Sequence, residues 1–204
     1  MTSPSLCQIN KAICLKEGYD SHSTVPHLFC DMDEVLTDFR GACHRLYGTS
    51  THKEVEKILN APGAWDDPKI QNIFATLEPM PDASQLMSGL MKLKTSGRIR
   101  LSILTALPMP WLKPSAAAQG ARAKADKKNW IARHFPAATS IITCARSQKA
   151  YYGLADTVAT GLQAVLIDDN KSNIKDWKSM ANGLGILHTA ASKSLAELHS
   201  HLDK

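Results

Sequence analysis

Short apolar runs, separated by longer amphipathic stretches, dominate the pattern of hydrophobic and polar positions along this chain. Each run is rich in Val, Ile or Leu and is bounded by polar or turn-forming residues, a pattern typical of buried strands. The runs predict strands at Val25–Cys30, Arg98–Thr105, Thr139–Cys144, Gln163–Asp169 and Gly183–Thr189. Because no run approaches the length of a helix that spans a membrane, about 20 apolar residues, we expect no membrane partner.

Helical periodicity fills most of the chain between these runs. It predicts helices at Phe39–Tyr47, Lys53–Leu59, Ile70–Leu77, Asp126–His134, a segment that Asp82 caps and that runs to about Thr95, and a closing helix from Ser194. The Pro-rich and Ala-rich segment from Ala106 to Asp126, which contains Trp111, predicts a long loop. About fifty residues of helix and loop therefore separate the first strand from the second.

Strands that alternate with helices predict an α/β fold, a Rossmann-like doubly wound and mostly parallel sheet. The long helical stretch after the first strand predicts a small helical cap inserted into this core. We assign residues 1–24 to an N-terminal lead, 25–38 and 96–204 to the core domain, and 39–95 to the cap.

Composition limits the classes of function. The 204 residues are 44% apolar and 21% charged, as in ordinary globular domains, and the N-terminal segment lacks the apolar core of a signal peptide. We therefore expect a cytoplasmic protein, whose five cysteines, without a CxxC pair, are reduced thiols. The net charge of +5 is too small to indicate nucleic-acid binding, although it would help to attract an anionic substrate.

Acidic pairs follow two of the predicted strands. Asp31 and Asp33 end the first strand, and Asp168 and Asp169 end the fourth. Because the carboxyl ends of parallel strands meet at one edge of a sheet, these four carboxylates would repel one another unless a cation joined them. Mg²⁺ prefers carboxylate and carbonyl oxygens and commonly shares its shell with a phosphate, so the pattern predicts a Mg²⁺ site here.

Groups suited to binding a phosphate lie at the same predicted edge. Thr105 ends the second strand and offers a hydroxyl, with the backbone amides of Ala106 and its neighbours beside it. Lys127 and Lys149 follow and would balance the charge of a phosphoryl group. A carboxylate nucleophile, a second carboxyl as acid and base, a metal ion, a hydroxyl and a lysine together suit phosphoryl transfer through an aspartyl-phosphate.

The order of these parts resembles the haloacid dehalogenase superfamily of phosphatases with an aspartate nucleophile. The matching segments are DMDEVLTD (residues 31–38), SILT (102–105), a lysine, and LIDD (166–169). A closer likeness is to the 5'(3')-deoxyribonucleotidases, carried by FATLEPMPDA (74–83), by KKNWIARHFP (127–136) and by Lys149, nineteen positions after Trp130. The resemblance covers residues 28 to about 188.

The resemblance implies a role for each matching residue. Asp31 would attack phosphorus and bind Mg²⁺, and Asp33 would act as acid and base while its backbone carbonyl contacts the metal. Asp168 would be the second metal carboxylate, and Asp169 would hold the water shell of the ion. Lys149 would be the main phosphate ligand and Lys127 a supporting one. Phe39 and Phe74 would stack on the base from the cap.

The resemblance also implies a substrate class, a (deoxy)nucleoside 5'-monophosphate, and leaves a homodimer open, since related nucleotidases often pair. The chain departs from the pattern at two positions in the motifs: Glu34 stands in place of a glycine, and Ala106 in place of a hydroxyl residue. Two alternatives remain. One is a phosphatase for another phosphoester, such as a sugar phosphate or a nucleic-acid 3'-phosphate end; the other is a module that binds phosphate without catalysis.

Overall fold

A computed structural model of the chain describes residues 23–61, 63–108, 114–138 and 140–203. Its centre is a sheet of parallel strands, β1 (His27–Cys30), β2 (Arg100–Ala106), β3 (Ile141–Cys144), β4 (Val165–Asp168) and β5 (Leu184–Leu187). All five lie inside the runs predicted from the sequence or within one residue of them. The predicted α/β class and parallel sheet are therefore confirmed.

The strand order is β3-β2-β1-β4-β5, which puts β1 at the centre. Leu28 of β1 pairs with Leu101 of β2 on one side and with Val165 of β4 on the other. The chain winds outward from β1 to β3 and then returns to the far side of β1, so the strand order reverses between β1 and β4. Open sheets of this kind bind ligands at the carboxyl ends of the strands at such a switch point.

Helices cover both faces of the sheet. In chain order they are α1 (Phe39–Tyr47), α2 (His52–Leu59), α3 (Ala83–Thr95), α4 (Pro114–His134), α5 (Lys149–Thr160), α6 (Lys171–Met180) and α7 (Ala191–Leu202). The helices α3 and α7 contact each other, as do α5 and α6. Within the described part of the chain, no helix combines the length and the apolar content that crossing a membrane requires.

The two faces of the sheet have separate apolar cores because side chains alternate along each strand. Leu28 and Ile167 belong to the core that contains residues of α3 and α7. Phe29 and Leu166 belong to the other core, which is built around the fully buried Trp177 of α6. Burial on both faces explains why β1 and β4 are continuous apolar runs in the sequence.

The insertion between β1 and β2 begins with α1. Asp38 is its N-cap and accepts a hydrogen bond from the backbone N–H of Gly41 at 2.8 Å. A side chain at Gly41 would meet the Asp38 carboxylate, since a Cβ there would lie 2.1 Å from a carboxylate oxygen. The later helix α3 packs against α7 and β2. The residue bounds of the cap stay a prediction.

Several predicted elements are wrong in extent. The segment predicted as a loop up to Asp126 is helical from Pro114 onward, because its alanines are strong helix formers and proline is favoured in a first turn. The predicted helix Ile70–Leu77 is reduced to a short 3₁₀ turn, Ile73–Ala75. Trp111 and most of the N-terminal lead lie outside the described residues.

Asp82 stands at the N-cap position of α3, as the sequence predicted, but its side chain makes no capping hydrogen bond to that helix. Its carboxylate instead accepts a hydrogen bond from the backbone N–H of Ala191, the first residue of α7, at 2.6 Å. Asp82 therefore joins the start of α3 to the start of α7. A carboxylate is favourable at either helix N-terminus, so the sequence identified the position of Asp82 but not the helix to which its carboxylate bonds.

A buried polar network lies at the amino end of the sheet, opposite the acidic pairs. His27 contacts Asp156 through Nδ1 at 3.0 Å and Ser102 Oγ through Nε2 at 2.8 Å. Arg100 Nη2 donates to both carboxylate oxygens of Asp156, at 2.9 and 3.0 Å. Burial lowers the pKa of His27, although the Asp156 carboxylate beside it acts in the opposite direction.

This network predicts a pH-dependent contribution to stability. Because the pKa of His27 is lower in the folded than in the unfolded protein, its contribution is complete above the unfolded value and is lost as the pH falls below about 6.5. We expect the unfolding free energy to fall less between about pH 7.5 and pH 5.5 in His27→Gln than in the wild type. Urea unfolding at both pH values checks this, and equal losses in the two proteins would contradict it.

Candidate active site

Three carboxylates meet at the switch point between β1 and β4. Asp31 directly follows β1, Asp168 ends β4, and Asp169 is the next residue. Each offers a carboxylate oxygen, and these oxygens lie within 4.8 Å of one another. The backbone N–H of Asp31 donates to the carbonyl of Ile167 at 2.9 Å, which fixes the two strand ends side by side. The structure thus brings together three of the four predicted metal carboxylates.

Lys149 lies between two of these carboxylates. Its Nζ is 2.8 Å from Asp31 Oδ1 and 2.8 Å from Asp168 Oδ2, and its side chain is almost completely buried. The residue begins α5, a helix that the sequence analysis did not predict. This lysine supplies a buried positive charge at the centre of the acidic cluster.

The protonation of this cluster is set by burial and by the lysine. Burial raises the pKa of Asp31 well above its ordinary value, opposed by the Lys149 ammonium and reinforced by the Asp168 carboxylate. Burial alone would lower the pKa of Lys149, but the carboxylates of Asp31 and Asp168 outweigh it and raise that pKa. Lys149 therefore stays charged and partly compensates two buried acids.

Asn173 holds Asp168 from the other side. Its Nδ2 lies 3.0 Å from each carboxylate oxygen of Asp168, and the backbone N–H of Asn170 donates to Asp168 Oδ1 at 2.9 Å. Arg146 Nε in turn donates to Asn173 Oδ1 at 3.3 Å. The sequence analysis missed Asn173 and Arg146; the only signal for Asn173 is its position in the first turn of a helix that follows an acidic pair.

Replacing Asn173 by alanine tests how firmly Asp168 is held. Because the buried carboxylate would lose its contact with the amide, we expect the free energy of unfolding to fall by about 1.5 to 3 kcal/mol. Asn72→Ala is the matched control, since Asn72 is exposed and makes no capping bond. Denaturant unfolding measures both variants, and similar losses in the two would contradict the assignment.

Asp33 lies apart from the three-carboxylate group and has its own partners. Lys127, which is fully buried, donates from Nζ to Asp33 Oδ2 at 2.5 Å and to Thr105 Oγ1 at 2.8 Å. Thr37 Oγ1 donates to Asp33 Oδ1 at 3.3 Å. The resemblance implies that Asp33 contacts the metal through its backbone carbonyl. The position of the Asp33 side chain does not test that contact, which stays a prediction.

The end of β2 provides the predicted phosphate-binding groups. Thr105 is completely buried, and because its oxygen accepts the hydrogen bond from Lys127, its hydroxyl hydrogen can be donated to an anion. Ala106 is the last residue of β2 and is half-buried. Thr105, Lys127 and Asp33 therefore form a chain of contacts along the same edge of the sheet as Asp31.

Phe39, Trp65 and Phe74 form an aromatic cluster in the insertion. The rings of Phe39 and Phe74 are 5.4 Å apart and almost parallel, and Trp65 lies 6.4 Å from Phe39 and 6.2 Å from Phe74. Phe74 is buried, whereas Phe39 and Trp65 are partly exposed. Lys127 Nζ lies 4.4 Å from the centre of the Phe74 ring, which joins the cluster to the site. The sequence analysis missed Trp65 as a member of this cluster.

The three-carboxylate group fits a Mg²⁺ ion in its chemistry. All of its donors are hard oxygens, and Mg²⁺ is commonly bound through one or two carboxylates together with water and phosphate. The buried Lys149 ammonium shows that this cluster already accommodates a compensating positive charge. The residues present are therefore suited to the ion that the sequence predicted.

Comparison with family models and with curated proteins adds no relative to these observations. Neither the family models nor the curated proteins give a match to this chain. The assignment of function therefore depends on the residues themselves and on the geometry that joins them.

Proposed function

We propose that this protein is a Mg²⁺-dependent phosphomonoesterase of the haloacid dehalogenase superfamily, which hydrolyses (deoxy)nucleoside 5'-monophosphates through an aspartyl-phosphate. The observation that carries the proposal is the convergence of Asp31, Asp168 and Asp169 at the switch point of the sheet, with Lys149 between the first two. The carboxylates and the Asp33 carbonyl would hold Mg²⁺, which neutralises phosphoryl charge when bound.

Asp31 is the nucleophile in this proposal. Its Oδ1 accepts a hydrogen bond from the backbone N–H of Met32 at 2.8 Å and contacts Lys149, so we assign the attack to Oδ2. A bond forms between Oδ2 and phosphorus as the bond from phosphorus to the ester oxygen breaks. Holding the carboxylate in one orientation keeps the attacking oxygen in line with the leaving group.

Asp33 is the acid and base. In the first step its carboxyl proton passes to the ester oxygen, which leaves as the hydroxyl of the nucleoside. In the second step the same carboxylate takes a proton from water as the water oxygen bonds to phosphorus and the bond to Asp31 breaks. Lys127 and Thr37 orient both oxygens of Asp33, which supports this role.

Thr105, Lys127 and Lys149 bind the phosphoryl group, together with the backbone of Ala106. The buried threonine hydroxyl and the two buried ammonium groups stabilise negative charge on the phosphoryl oxygens, most effectively in the transition state. Lys149 is the main phosphate ligand in this proposal because it contacts the nucleophile, Asp31. Lys127 is the supporting ligand because it contacts the acid and base, Asp33.

The aromatic cluster favours a nucleotide over a sugar phosphate. Phe39 and Trp65 keep exposed surface on which a base could stack, whereas Phe74 is buried and packs beside both rings. Stacking of a base on one aromatic ring contributes about 1 to 3 kcal/mol. This arrangement would discriminate poorly between bases, since every base has an aromatic face.

A substrate panel tests the proposed function. With Mg²⁺ present, the purified protein should release phosphate from dUMP and dTMP faster than from hexose phosphates or from DNA that carries a 3'-phosphate, and a chelator should abolish the release. Preference for a hexose phosphate or for the DNA end would overturn the nucleotide assignment. Absence of all turnover would favour the non-catalytic phosphate-binding module.

A further inference from the structure

Arg40 connects the cap to the acidic cluster. It lies in the first turn of α1, and its guanidinium Nη2 is 3.5 Å from Asp169 Oδ2. Its Nη1 is 3.6 Å from Glu34 Oε2. The Arg40 side chain is 40% exposed, so it is partly accessible to solvent. Arg40 is thus the counter-ion of the third carboxylate, as Lys149 is of the first two.

Glu34 holds Arg40 in this position at a conformational cost. Its φ is +62°, in the left-handed region, which is strained for an L-residue with a Cβ atom. Its carboxylate accepts a hydrogen bond from the backbone N–H of Arg40 at 2.5 Å and also faces the guanidinium. The carboxylate thus binds both the backbone and the side chain of Arg40, which a glycine here could not do.

We infer that Arg40 lowers the affinity of the site for its divalent cation, because its guanidinium competes with the cation for the Asp169 carboxylate. A cation held by the three carboxylates would share Asp169 with the guanidinium, and the two positive charges would repel each other. The inference rests on the proposed function, because it requires the predicted metal site.

The expected effect is a change in cation affinity that is measurable without catalysis. Removing the charge of Arg40 should tighten binding by about threefold to tenfold, a modest change because the side chain is partly exposed and screened. Arg40→Lys keeps the charge but loses the planar fork of the guanidinium, so its gain should be smaller.

Titration calorimetry of Mn²⁺ or Mg²⁺ into the full chain, without substrate, tests this inference. Arg40→Gln and Arg40→Lys are compared with the wild type and with Arg45→Gln. The control removes the same charge from the same helix, but Arg45 pairs with Asp38 at 3.1 Å and not with a carboxylate of the site. Arg40→Gln should bind the ion more tightly, and Arg45→Gln should match the wild type.

The outcomes separate this inference from the proposed function. Binding to the wild type that Asp168→Asn abolishes, together with tighter binding by Arg40→Gln than by the wild type or Arg45→Gln, would support both. Wild-type binding with equal or weaker affinity in Arg40→Gln would overturn the inference and leave the proposed function intact. Absence of cation binding by the wild type would overturn both.

Discussion

Asp31→Asn should abolish phosphatase activity while leaving the fold intact. The amide cannot form the acyl-phosphate, so we expect the turnover rate to fall by at least about a thousandfold. The fold should persist because Lys149 keeps its contact with Asp168. Burial raises the pKa of Asp31, which means that its ionised form is costly in the folded protein, and the neutral amide removes that cost.

Phosphate release from dUMP and a thermal melt, measured on the same preparation, check this prediction. Asp176→Asn is the matched control, since Asp176 is exposed on α6 and is not part of the three-carboxylate group. It should keep wild-type activity and stability. Substantial turnover by Asp31→Asn would rule out this residue as the nucleophile.

Lys149→Met should be the most destabilising single substitution at the site. The variant leaves Asp31 and Asp168 buried without their shared cation, and breaking a buried ion pair in this way typically costs about 3 to 5 kcal/mol. The methionine fills similar space, so the loss reports charge more than packing. A divalent cation should restore part of the stability, because it would neutralise the same carboxylates.

Denaturant unfolding with and without Mg²⁺ measures both effects. Lys128→Met is the control, because Lys128 is exposed on α4, next to the buried Lys127. It should change the unfolding free energy by less than about 0.5 kcal/mol. Equal losses in the two variants would show that Lys149 is not the counter-ion of the acidic cluster.

The sequence predicted the site best where one pattern, an acidic or hydroxyl residue at the end of an apolar run, indicates both a strand end and a functional side chain. Asp31 and Asp168 could be predicted to meet because each ends an apolar run, and the ends of parallel strands gather at one edge. Thr105 followed from the same rule. The structure agrees in each case, with the three side chains in or directly after β1, β4 and β2.

Contacts that depend on side-chain direction could not be predicted in this way. Arg40 and Asn173 stand in first turns of helices, where many polar residues only face solvent. Their partners, Asp169 and Asp168, could be identified only once the relative positions of helix and strand were known. Trp65 was missed as a member of the aromatic cluster for the same reason, since nothing in the sequence relates it to Phe39.

Two errors in the predicted helices had signals that were available. The alanine-rich stretch that forms the first half of α4 is rich in strong helix formers, and α5 ends at Gly161 in the left-handed conformation common at helix ends. The sequence analysis predicted a long loop over the first segment and no helix over the second. The reverse error, a helix predicted at Ile70–Leu77, had no such warning, because prolines such as Pro68 and Pro79 are common just outside the ends of helices.

The central claim is that Asp31 accepts a phosphoryl group. Its most direct test is mass spectrometry of the protein, quenched in acid while it turns over dUMP with Mg²⁺. The account predicts a phosphoryl group on the peptide that contains Asp31, removed by hydroxylamine and missing in Asp31→Asn. No turnover of dUMP, or turnover that leaves that peptide unmodified, would contradict it.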